Sequence, residues 1–233
     1  MRTLGTILKV NKRWLMIINF FRIETEGLFR GLADYHEKLE AQIPFIQQSE
    51  FQKVEEWAKQ ESVDYAEYDM AIDELRWDYE YYFPRSLRYS FIVLLFLVVE
   101  KQLIEFCKTL HKEHNLPITV GDLKGNIIER TKTYIHKLAG IPDSKVNWEK
   151  VRDLLVVRNC IVHTMGNIKE SQDNPRLQSI ISTNIGLSMG NEGFFEKDTI
   201  QVSAKYCSNA VQDIQVLFDE LFDAAGMGEK WRR

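Results

Sequence analysis

The stretch Val151-Arg-Asp-Leu-Leu-Val-Val-Arg-Asn-Cys-Ile-Val-His163 is an apolar helical run that Arg158, Asn159 and His163 interrupt. Trp148, Val151, Leu154, Leu155, Val157, Cys160, Ile161 and Val162 leave little of its circumference polar, so such a helix must be covered on most sides by other parts of the chain. An unpaired polar group in that setting costs roughly 1–3 kcal/mol, and an unpaired charge more. The three polar residues therefore either satisfy one another and the backbone, or they face a shared cleft or a partner subunit.

Helical spacing recurs along the chain. A first helix is expected from about Lys12 to Gln42, with Trp14, Ile17, Ile18, Phe21, Leu28, Leu32, Tyr35 and Leu39 on its packed face and Pro44 as its break. Residues 50–82 mix acids with Trp57, Tyr65, Tyr68, Trp77, Tyr79, Tyr81 and Tyr82, a pattern that predicts one or two helices laying aromatic faces on the core. Proline in a first turn opens a helix from Pro84 to about His114, whose run Phe91-Ile-Val-Leu-Leu-Phe-Leu-Val-Val99 is bounded by Arg88 and Glu100. Spanning a bilayer takes about 20 residues, so this run predicts a buried core helix. A further helix is expected from about Val120 to Leu138, Asn147 is placed to cap the motif helix, and Gly166 to end it. The glycine-punctuated residues 170–197, with short apolar runs at Leu177 to Ile181 and Phe194-Phe195, predict a loop holding a small hairpin. A last helix is expected from about Thr199 to Ala224, packed through Val202, Tyr206, Ala210, Ile214, Leu217, Phe218 and Leu221, and Glu229 to Arg233 are expected to fray.

Composition narrows the function classes. A chain of 233 residues buries a sizeable core without a disulfide or metal. Cys107, Cys160 and Cys207 lie far apart in apolar or helical settings, which predicts buried free thiols in a reducing, cytoplasmic compartment. Trp14 to Phe21 is apolar but is followed by Arg22, Glu24 and Glu26 without a small-residue cleavage site, so neither a secretion signal nor a membrane partner is expected. His111 and His114 have no further ligands nearby, so no metal site and no cofactor is predicted. Residues 50–80 hold eleven Asp/Glu against three Lys/Arg, which leaves the rest of the chain at +4 within a formal total of −4. A basic bias over residues 122–153 could contact a phosphate backbone, with Lys124 and Arg152 from that stretch and Lys101 before it as the candidate RNA-binding cations, although scattered cations on helices are ordinarily solvated surface.

On an α-helix Asn159 and His163 are one turn apart and about 40° from each other round the axis, whereas Arg158 is rotated about 140° from His163. An arginine, a polar residue and then a histidine near the end of a core helix resembles the HEPN superfamily. So does the layout of about Pro84 to Ala225: a long helix with an internal acid, a second helix, the motif helix, an interruption and a closing helix. The resemblance implies an all-α fold, a HEPN-like antiparallel helical bundle over residues 84–228 in which a hairpin-like insertion before the last helix is a variable element; it does not cover the acidic, aromatic-rich helical extension expected at 1–83. It implies a homodimeric endoribonuclease that needs no metal, is toxin or defence related, and places the motifs of two subunits at one composite cleft. In that reading His163 moves the proton of the ribose 2′-hydroxyl or of the leaving oxygen, and imidazole as a side-chain type suits this because it titrates near neutrality. Arg158 stabilises phosphoryl charge, Asn159 holds His163 or orients a phosphate oxygen, and Glu100 pairs with Arg158 or orients His163. The products are a 2′,3′-cyclic phosphate and a 5′-hydroxyl. A neutralising or activating protein partner is a further expectation. The alternative is a catalytically inactive HEPN-like RNA-binding or protein-interaction module in which the motif is buried or the groove is blocked by the N-terminal acidic region; for Glu100 the simpler reading is that it pairs with Lys101 or Lys108 or reaches solvent.

Overall fold

The computed structural model describes residues 12–190 and 197–226, with side chains from residue 20 onward. The packing assigned to Trp14, Ile17 and Ile18, the Phe194-Phe195 run, the end of the expected bundle at 228 and the fraying of Glu229 to Arg233 all fall outside this description. The described residues are almost wholly helical. Seven α-helices run in chain order as α1 Lys12–Glu61, α2 Tyr65–Arg76, α3 Phe83–His114, α4 Ile127–Thr133, α5 Glu149–Thr164, α6 Asn174–Thr183 and α7 Ala204–Ala224. A two-stranded antiparallel ribbon, β1 Leu187–Met189 and β2 Ile200–Val202, precedes α7 and pairs Ser188 with Gln201. Turns of π-helix follow α2 and α4, at Trp77–Tyr82 and Tyr134–Leu138. No helix among the described residues is long and apolar enough to cross a membrane.

Several boundaries follow from local chemistry. Asp64 caps α2 by accepting from the Glu67 amide at 2.9 Å. Asn126 and Glu129 form a reciprocal capping box that starts α4, so the helix expected from Val120 is divided into a 3₁₀ turn at Val120–Asp122 and a later α-helix. At the end of α5, Met165 and Gly166 take φ of 52° and 88°, the left-handed stop that Gly166 predicted.

Other expectations are corrected. Pro44 does not end α1, which runs on to Glu61; the residues around it are solvent-exposed, so water can take the Glu40 carbonyl that proline leaves without a donor. The buried face of α1 is displaced from the expected one: Thr25, Phe29 and His36 are enclosed, whereas Leu28 and Tyr35 are exposed. The two polar residues on this face are held differently, and His36 Nε2 is enclosed without a hydrogen bond, 3.4 Å from the Glu40 carboxylate. Thr25 donates to the Phe21 carbonyl at 2.8 Å and lies 3.1 Å from Gln102 Oε1, while the His36 ring packs 4.5 Å from the Phe91 ring. Within 50–82 the aromatic residues Tyr65, Trp77 and Tyr82 face solvent rather than the core. Residues 174–183 form a helix instead of a loop, and Ile200 to Val202 form a strand instead of the first turn of the last helix. The Phe91 to Val99 run is not enclosed on all sides, since Leu94 and Leu97 remain exposed.

The chain divides into two compact units, each assembled from separated segments. One unit comprises the described parts of Met1–Arg30, Val99–Trp148 and Ile214–Arg233. Its core is an aromatic cluster in which Phe222 meets Phe21 and Phe106, each at 5.8 Å, and Phe218 meets Phe29 at 5.2 Å. The other unit comprises Gly31–Val98 and Glu149–Asp213. Here Tyr89, Phe91, Ile92, Leu95 and Phe96 of α3 are buried, as are Leu154, Val157 and Ile161 of α5. A half-buried ion pair, Arg88 with Glu40, ties α1 to α3 through contacts of 2.7 and 2.9 Å. Cys107, Cys160 and Cys207 are free and buried, and burial pushes the Cys107 thiol up to about 12.

Candidate functional site

The end of α5 carries the motif, and the fold holds that end firmly. The Gly166 amide donates to the Cys160 carbonyl at 3.1 Å, and the Gly166 carbonyl accepts from the Ile200 amide at 2.8 Å. Tyr89 of α3 is pressed against Gly166 and donates its hydroxyl to the Ile200 carbonyl at 2.5 Å; a β-carbon at 166 would collide with that hydroxyl. Thr164 donates back to Cys160 O at 2.7 Å and lies 2.8 Å from Asn167 O. The motif therefore sits on a helix terminus fixed to the ribbon and to α3.

Arg158 and Asn159 are brought together: Nη1 of Arg158 donates to Oδ1 of Asn159 at 3.0 Å. The guanidinium also lies over the Phe96 ring, 5.7 Å from its centroid, which places α5 beside α3 at this level. Its Nε is enclosed and lacks a hydrogen-bond partner. Since only the amide oxygen can accept from a guanidinium, Asn159 keeps its NH2 as a donor for another group. His163, one turn further on, is exposed and has no hydrogen-bond or ion-pair partner among the described residues. Asn159 thus orients Arg158, and no bond ties either of them to His163.

The remaining predicted site residues are distributed over both units. Arg152 is exposed on α5, in the unit that holds the motif. Glu100, Lys101 and Lys124 belong to the other unit; Lys101 and Lys124 are exposed and Glu100 is half-buried without a described partner. Lys108, one of the alternative partners of Glu100, instead holds Glu105 at 2.8 Å. Among the described residues no three His, Cys, Asp or Glu side chains converge as metal ligands.

Sequence reasoning missed Arg85. Its Nη2 donates to the Met165 carbonyl at 2.9 Å, and its guanidinium lies 5.0 Å from the Tyr89 ring and 5.9 Å from the Tyr81 ring. It brings a second cation to the end of α5, two residues beyond His163. No spacing rule links Arg85 to a motif so distant in sequence. The exposed apolar side chains on the same two helices were equally hidden: Leu94 and Leu97 on α3, Val162 on α5 and Met165 just past it, the last 71% exposed.

Chemically, the cluster offers an exposed imidazole, a guanidinium oriented by an amide, and a second guanidinium at the helix end. Such groups suit an anionic ligand whose reaction requires proton transfer. No family model, curated protein or solved structure matches this chain.

Proposed function

We infer that this protein is an endoribonuclease of HEPN type that cleaves RNA by attack of the ribose 2′-hydroxyl, working as a homodimer. The observation that carries the reading is His163: an exposed imidazole, unengaged by any described residue, one helical turn from an arginine that Asn159 already orients. A histidine retained only to satisfy a buried network would be enclosed and hydrogen-bonded.

The reaction transfers two protons, one from the 2′-hydroxyl and one to the departing 5′-oxygen. Each chain supplies one His163, so two chains meeting at their motifs supply a base and an acid, and two Arg158 side chains to offset the charge gathering on phosphorus. Leu94, Leu97, Val162 and Met165, all solvent-facing on or beside α3 and α5, give the apolar surface by which two copies would join. Arg85 and Arg152 extend the positive charge toward flanking phosphates.

The test is cleavage of end-labelled RNA in EDTA by the full chain, beside Arg158→Ala and His163→Ala proteins with unchanged far-UV dichroism. The reading expects cleavage by the unaltered protein and a loss of roughly 10²- to 10⁴-fold in each variant. Binding of RNA without cleavage would move the protein to the catalytically silent, RNA-binding alternative.

A further inference from the structure

The unit that does not hold the motif contains a cavity of about 350 Å³ between α3, the 3₁₀ turn at Val120–Asp122 and α4. Its volume is in the range of small-molecule sites. The walls are apolar, formed by Ile104, Val120 and Ile127 with the buried Cys107. Every titratable side chain among its other lining residues is basic: Lys108, His111, Lys112 and Arg130. No carboxylate lines it.

The carboxylates nearest in sequence are already engaged. Glu105 is paired with the lining Lys108 at 2.8 Å, and Asp122, which accepts from the Thr119 amide and hydroxyl, both at 2.7 Å, is held below the ordinary value by those bonds and by the charge of His111, so Lys112 and Arg130 are the lining cations left without a carboxylate partner among the described residues. His111 is oriented by its Nδ1, which lies 3.1 Å from the Ile118 carbonyl and 3.0 Å from the Tyr134 hydroxyl. Tyr134 donates its proton to the same carbonyl at 3.0 Å, so the arrangement that satisfies all three atoms places a proton on Nδ1 of His111.

Arg130 points most clearly to a ligand. Its guanidinium has no hydrogen bond or ion pair among the described residues, and its Nε is enclosed without a partner. A half-buried guanidinium at an apolar cavity with no counter-charge is a costly arrangement. An anion removes that cost and leaves an apolar body to fill the walls.

We propose that this cavity is a binding site for a small amphiphilic anion, a carboxylate or phosphate head on a compact hydrocarbon body, with the head on Arg130 and Lys112 and the body against Ile104, Val120 and Ile127. The site lies outside the motif's unit and does not rest on the ribonuclease reading.

Isothermal titration calorimetry of the full chain with octanoate, octyl phosphate and octanol tests it, together with methyl NMR of the isoleucine and valine side chains. The proposal expects saturable one-to-one binding of an octyl anion roughly ten- to a hundredfold tighter than octanol, with shifts at Ile104, Val120 and Ile127. Arg130→Gln removes most of that preference. If this variant loses its fold, Lys112→Gln, at an exposed position, supplies the same readout with a smaller loss. Tighter binding of octyl phosphate than of octanoate assigns a phosphate head, and the reverse a carboxylate. No saturable binding, equal affinity for octanol, or shifts elsewhere in the protein overturns the proposal.

Discussion

The Arg88–Glu40 pair makes an acid-dependent contribution whose size can be worked out. Glu40 accepts two hydrogen bonds from Arg88, at 2.7 and 2.9 Å, with His36 Nε2 3.4 Å from the same carboxylate and Arg88 also reaching the Val202 carbonyl at 3.5 Å. Burial by itself would raise the Glu40 carboxyl, but the Arg88 hydrogen bonds and the charge and proximity of Arg88 and His36 override it and lower the carboxyl from 4.5 to about 2. At 1.36 kcal/mol per tenfold change this amounts to about 3 kcal/mol, reduced to about 2 kcal/mol because solvent still reaches both partners. A carboxyl lowered in the folded state binds fewer protons there than in the unfolded chain. Its stabilisation is therefore complete above pH 4.5 and is lost as pH falls toward 2. Glu40→Gln, compared with the unaltered protein by urea unfolding at pH 7, 5, 4 and 3, is expected to be about 2 kcal/mol less stable at pH 7. The difference should hold at pH 5, narrow below 4.5 and nearly vanish near pH 2. A difference that stays constant through the acid range would refute the assignment, because packing rather than the ionised carboxylate would then carry it.

Gly166→Ala forces a left-handed backbone on a residue with a β-carbon and drives that carbon into the Tyr89 hydroxyl and to 2.9 Å from Tyr89 Cζ, so a thermal or urea melt should show a loss of about 2–4 kcal/mol. Pro44→Ala restores the missing amide donor in mid-helix at an exposed site, and denaturation should report a gain of at least about 1 kcal/mol. Leu97→Glu puts a charge on the exposed apolar face of α3; the proposed homodimer predicts that light scattering finds a dimer for the unaltered chain and a folded monomer for the variant, with RNA cleavage falling in parallel.

Much of the second half of the chain was legible because its signals are local. Proline before a long apolar run fixed the start of α3 within a residue, and Gly166 marked the stop of α5. α6 was lost to its glycine-rich surroundings, although Asp173-Asn-Pro175 is itself a helix-opening pattern, with proline in the first turn. The start of α7 was likewise marked by Ser203, whose hydroxyl accepts from the Tyr206 amide at 3.2 Å, a cap that distinguishes the β-branched strand Ile200 to Val202 from the helix after it. α1 misled for another reason: its buried face uses Thr25 and His36, whose partners come from α1 itself and from distant α3, and periodicity counts only apolar residues. The aromatic residues at 65–82 misled by composition alone, since an aromatic side chain predicts burial only if another element arrives to cover it. Within the candidate site the motif was readable as a spacing. The Arg158–Phe96 and Arg85–Met165 contacts were not, because each joins α3 to a segment more than sixty residues away.

Ribonuclease action through His163 is tested by the chemistry of the cut. An RNA oligonucleotide cleaved at a mapped position would be remade with a single 2′-deoxy nucleotide on the 5′ side of that position, and both would be treated in EDTA with the unaltered chain and with His163→Ala, followed by mass analysis of the ends. Attack by the 2′-hydroxyl requires 2′,3′-cyclic phosphate and 5′-hydroxyl ends from the all-RNA substrate, no cut at the deoxy position, and no cut by the variant. Cleavage across the deoxy linkage, or ends of another kind that persist in His163→Ala, would contradict it.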